Sequence, residues 1–114
     1  MSYSFFEGNT GQTYNILSTT ANRKVLEDDS WSLKVNTISL SSSNKGYGIA
    51  FIPIRASRVA GRRQWRKSTG VTYGDFGDYG PVLTTYQLGA RSDDDLSGTG
   101  RSTGLWNSDY MTNW

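Results

Sequence analysis

The sequence predicts an all-β domain, a single Greek-key sandwich or small barrel, and three observations carry that reading. No segment of ten or more residues repeats its apolar positions every 3.6 residues, as an amphipathic helix must. The apolar groups are instead short and rich in β-branched and aromatic side chains. Between them lie runs of Gly, Ser, Asn and Asp, the residues that make turns. A chain of 114 residues has room for one domain and one core, so residues 1–114 are taken as a unit.

The elements follow in order. Residues 4–6 form a short aromatic strand, and residues 7–11, with two glycines and Asn9, form a turn. Residues 13–17 alternate, with Tyr14 and Ile16 on one face. Residues 22–30 are polar apart from Val25 and Leu26 and carry the acidic run Glu27-Asp28-Asp29. Trp31 opens a strand with Leu33 and Val35 on one face and Ile38 and Leu40 on the other. Because both faces carry apolar residues, a bulge or a two-sided environment is expected. Residues 47–54 are the most apolar, and Pro53 places them at an edge or a strand end because it lacks a ladder donor.

Residues 55–67 are read as a basic insertion or arm, with helix, strand pair and ordered arm all open. Gly61 weakens the helix. Short β segments follow at 71–73 and 82–88, with a Gly-Asp-aromatic loop between them. Residues 89–104 read as polar loop, and 105–114 as an aromatic end.

Charge is unevenly distributed along this framework. All ten carboxylates lie outside residues 30–74, whereas eight of the twelve cations lie inside it. The sharpest cluster is Arg62, Arg63, Trp65, Arg66 and Lys67. Guanidinium forks bind carboxylate or phosphate bidentately, and Trp adds a stacking face. These five residues are the expected partner-binding site. The expected partner is a protein assembly with an acidic surface, with single-stranded nucleic acid as the alternative. A homo-oligomer is left open. The aromatic end supplies an expected anchor in Trp106, Tyr110 and Trp114.

What is missing narrows the chemistry. With no Cys there is no disulfide and no thiolate metal site. With no His, Ser-His-Asp, Cys-His and His-metal chemistries are closed. Asp93-Asp94-Asp95 would alternate between faces on a strand and so would not converge on one ion. No apolar run approaches the ~20 residues of a membrane helix, and residues 1–11 carry no signal-peptide pattern. No membrane partner is expected, and the setting is read as virion or cytoplasm.

Two stretches share an order of features. The first runs from Phe5-Phe6-Glu7-Gly8 through Gly11 and Tyr14 to Trp31. The second runs from Tyr73-Gly74-Asp75-Phe76 through Gly80 and Tyr86 to Trp106. In each, an aromatic-Gly hairpin precedes a strand and a Trp follows a long loop. This order resembles the Greek-key motif of the βγ-crystallin family. The resemblance implies turn glycines at Gly11 and Gly80, core tryptophans at Trp31 and Trp106, and Ca²⁺ bound by the residues after each Trp. Ser32-Leu33 offers no carboxylate, so the implied Ca²⁺ ligands reduce to Asn107 and Asp109. Lys45-Gly46-Tyr47-Gly48 resembles the start of the RNP1 signature of RNA-binding domains, and reads more simply as a turn that opens a core strand.

The expectation is a non-catalytic structural or interaction module that docks on a larger assembly, such as a virion accessory or capsid-cementing protein. The alternatives are a Ca²⁺- or carbohydrate-binding protein of crystallin-like or lectin-like type, and a nucleic-acid-binding protein.

Overall fold

The computed structural model describes residues 1–7, 14–26, 29–40, 48–77, 82–92, 100–112 and 114. Nine strands account for most of them: β1 (Ser2–Glu7), β2 (Asn15–Arg23), β3 (Ser30–Leu40), β4 (Ile49–Arg55), β5 (Arg58–Val59), β6 (Gln64–Arg66), β7 (Gly70–Asp75), β8 (Thr85–Ser92) and β9 (Gly100–Asn107). They form two antiparallel sheets. The first has the order β1-β9-β3-β7. The second has the order β2-β8-β4-β5, with β6 also paired to β4. The chain crosses between the sheets at nearly every connection, and this order of strands is that of a jelly roll. The all-β sandwich expected from the sequence is the architecture observed.

The core lies between the sheets. Trp31, Leu33, Val35, Phe5 and Trp106 from the first sheet meet Phe51, Ile49, Leu88 and Tyr86 from the second. Both tryptophans expected in the core are fully buried. Trp31 lies directly opposite Gly74 of β7. A Cβ on Gly74 would come within 2.0 Å of the indole, so only glycine lets the ring lie flat across the neighbouring strand.

The mixed faces of β3 have a simple cause. The β3–β9 register shifts between Val35 and Thr37, so Asn36 is an extra residue. Before the bulge Trp31, Leu33 and Val35 face the core. After it Ile38 and Leu40 do. A similar irregularity between Leu17 and Asn22 of β2 is repaired by Thr20. Its hydroxyl donates to the Leu17 carbonyl and accepts the Leu88 N–H at 2.9 Å, standing in for a lost ladder bond. The Trp106 indole donates to the Thr20 carbonyl at 2.8 Å and ties the two sheets together at this point.

Three expectations are corrected. Pro53 is not at an edge, since β4 has β8 on one side and β5 and β6 on the other. The proline follows the last β6 pair, Phe51 with Gln64, and precedes the first β5 pair, Ile54 with Val59; its carbonyl accepts the Ala60 N–H at 2.9 Å, so the ladder forgoes only the donor that proline lacks. Residues 55–67 are not an insertion or free arm: they supply the fourth strand position of the second sheet. The run read as polar loop from 89 to 104 holds the end of β8 and the start of β9. The composition misled there because Gly and Ser occupy buried positions against large neighbours, as Gly104 does against Tyr3. Gly11, Gly80, residues 45–47 and Asp93-Asp94-Asp95 lie outside the described residues.

Candidate functional site

The basic segment folds as a hairpin and a short strand along one edge of the second sheet. Arg55 and Arg58 flank a two-residue turn and are directly opposite one another. The turn residues, Ala56 and Ser57, have φ of 50° and 65°, the left-handed pair a two-residue hairpin requires. Both arginines are exposed. A shallow groove of about 230 Å³ lies against the hairpin, lined by Arg55, Ala56, Arg58, Val59 and Ala60.

The five expected binding residues share this edge but divide by role. Arg62 is exposed, and its Nε lies 3.8 Å from an Asp75 carboxylate oxygen, a loose surface pair. The Arg62 N–H also donates to the Asp75 carbonyl at 2.8 Å, which fastens this edge to β7 of the other sheet. Arg63 is exposed, with its guanidinium 5.6 Å from the centre of the Trp65 ring. Trp65 is half-buried on the outer face, opposite Ala50. Lys67 is exposed. Arg66 departs from the group. It lies opposite Ile49, and its Nη2 donates to the Ser68 and Thr69 carbonyls at 3.2 Å each, so it braces its own loop.

Behind Trp65 stands a residue the sequence did not single out. Arg91 of β8 is buried, with its guanidinium 5.4 Å from the Trp65 ring centre and 5.2 Å from that of Tyr14. The outer face of the second sheet thus carries an alternating row, Tyr14, Arg91, Trp65, Arg63, running from the residue before β2 over β8 and past Ala50 of β4 to β6 and the residue before it. Each step is within cation–π reach. Tyr14, Arg91 and Trp65 come from distant parts of the chain, and only the register unites them.

Of the three expected anchor residues, one is removed from the surface. Trp106 is buried in the core and cannot serve as a surface anchor. Tyr110 is 43% exposed and packs on Tyr73 with ring centres 4.5 Å apart; Trp114 is half-buried. Residues 108–111 are bonded down onto the sandwich. Asn22 Oδ1 accepts from the Ser108 N–H, Ser32 Oγ donates to the Asp109 carbonyl, and the Met111 N–H donates to Ser32 Oγ. Tyr73 completes the attachment with a bond to the Met111 carbonyl.

The implied Ca²⁺ ligands are also corrected. Asn107 Oδ1 accepts the Asp109 N–H at 2.8 Å. The Asp109 carboxylate is buried, and it accepts from the backbone N–H groups of Val25 and Leu26 and from Lys24 Nζ at 3.4 Å. Lys24 is fully buried. It donates to the Ser30 and Ser108 carbonyls as well and lies 5.1 Å from the Phe76 ring centre. A lysine already supplies the cation this carboxylate faces. Among the described residues no three acidic side chains converge on a common point. Sequence reading missed this pair because its members lie 85 residues apart.

No family model matches the chain, and no curated protein or solved structure matches it either.

Proposed function

We propose that this chain is a non-catalytic interaction module that docks on a larger assembly through the basic edge of its second sheet. One observation carries the reading. Arg55, Arg58, Arg63 and Lys67 are exposed along β5 and β6, and among the described residues none of them meets a carboxylate. The only described carboxylate paired with this segment is Asp75, held loosely by Arg62. Trp65 and Arg63 add the two residue types most enriched where interfaces concentrate their binding energy. An acidic protein surface is the partner this chemistry fits. Jelly rolls include viral capsid and lectin domains. A capsid-cementing or other virion accessory role would use such a module.

The test is light scattering after size-exclusion chromatography, on the purified chain alone and after mixing with an extract of its source. The reading expects a large complex that dissolves as salt rises and does not form with R63E/K67E. A chain that elutes unchanged from the extract, or a complex that R63E/K67E leaves intact, would overturn it. Recovery of nucleic acid rather than protein in the complex would replace the acidic protein as partner.

A further inference from the structure

The hairpin of β4 and β5 is built against its own stability in two independent ways. Arg55 and Arg58 are cross-strand partners, and like charges placed directly opposite repel. The turn between them puts Ala56 and Ser57 in the left-handed region, where Asn and Gly are the favoured residues and a Cβ is resisted. Strain of this kind persists where the surroundings enforce it, and it concentrates at ligand clamps and switch regions. An anion seated between the two guanidinium groups would turn the repulsion into a bidentate grip.

The groove beside the hairpin indicates what the anion is attached to. It is lined by Ala56, Val59, Ala60 and the two arginines, and Val59 is 52% exposed. At about 230 Å³ it is smaller than the ~300–1,000 Å³ pockets that enclose a drug-sized ligand, and it suits one aliphatic side chain. No aromatic ring lines it, so it offers a nucleobase no stacking partner.

We infer that the Arg55–Arg58 hairpin is a clamp for an acidic segment of a protein partner, taking carboxylates on the two guanidinium groups and one aliphatic side chain in the adjoining groove. The inference rests on the docking reading above and names the part of the edge that selects the partner. Arg63 and Lys67 extend the charge beyond the clamp.

Fluorescence anisotropy with a labelled Glu-Leu-Glu-Glu-Leu-Glu peptide tests it on the full chain. The clamp expects binding that weakens roughly tenfold or more in R55Q/R58Q, and likewise when the peptide leucines become alanine. A second variant guards against misfolding as the cause. In R55E the opposed charges become an attractive pair, so the melting temperature should rise by a few degrees while peptide binding is lost. Unchanged peptide affinity in R55Q/R58Q would overturn the clamp, as would a lower melting temperature in R55E. An oligothymidylate that binds more tightly than the peptide and depends on Arg55 and Arg58 would overturn the choice of carboxylate. If the peptide ignores the hairpin while the extract complex still needs Arg63 and Lys67, the clamp alone fails and the docking reading stands.

Discussion

Two ends of the same sandwich use cations in opposite ways. Where the C-terminal residues meet the end of β2, Lys24 is fully buried and shares Asp109 with two backbone N–H groups. Its ammonium also has two carbonyl acceptors and an aromatic face. At the edge formed by β5 and β6, Arg55, Arg58, Arg62 and Arg63 are exposed, two of them face each other, and the one ion pair of this edge among the described residues is loose. The first arrangement serves the fold. The second, Arg66 apart, ties little of the fold together and in places works against it. A positive charge thus reveals its role through what answers it, and the amount of charge in a segment says little.

The comparison breaks first at the buried pair. Asp109→Ala leaves the Lys24 ammonium without its carboxylate and frees two backbone N–H groups. Urea denaturation should show a loss of about 3–5 kcal/mol. A loss near zero would mean the pair is no more structural than the exposed arginines.

Alkaline pH probes a buried group that belongs to neither region. Tyr3 is packed against Phe51, its hydroxyl lies 2.9 Å from Ser102 Oγ, and burial pushes its phenol up to about 12. The unfolded chain would lose this proton near pH 10 and the folded chain only near pH 12. The neutral phenol's contribution is therefore complete below pH 10 and is lost as pH rises from there towards 12. Stability should fall by about 2–3 kcal/mol over that window, and Tyr3→Phe should remove that part of the decline.

Thr20→Val sharpens the structural side of the comparison. It removes the hydroxyl that accepts the Leu88 N–H at the β2 irregularity, leaving a buried donor unmet. A cost of about 1–3 kcal/mol is expected in the same denaturation series. On the basic edge the sign should reverse. A56N/S57G places favoured residues in the left-handed turn and should stabilise the chain by about 1 kcal/mol. The smallest effect is expected for R63Q/K67Q, within about 0.5 kcal/mol of the parent chain. A large loss there would move these side chains to the structural class.

The sequence and the fold agree where local chemistry decides. The β-rich apolar groups and the irregularity in β3 were both visible as patterns of alternation. Disagreement begins where a distant strand decides. Pro53 reads as a marker of an edge or strand end, yet it sits in a strand paired on both sides, where its carbonyl still accepts the Ala60 N–H. Trp106 reads as an anchor from its place near the end of the segment and as a core residue from the crystallin-like order of features; β9 runs between β1 and β3 and carries it into the core. Asp109 reads as a metal ligand through the crystallin-like resemblance, and nothing nearby in sequence shows that Lys24 will reach it. The basic cluster was legible as composition. Its division into a bracing Arg66, a loosely paired Arg62 and an opposed Arg55 and Arg58 depends on register, which no single segment carries.

The most direct test measures stability and association on one variant, R55Q/R58Q/R63Q/K67Q. If this edge exists for a partner, the melting temperature should hold or rise while the complex with extract and the binding of the acidic peptide are both lost. A variant that melts well below the parent chain and still associates would show the opposite, that these cations maintain the fold and grip nothing.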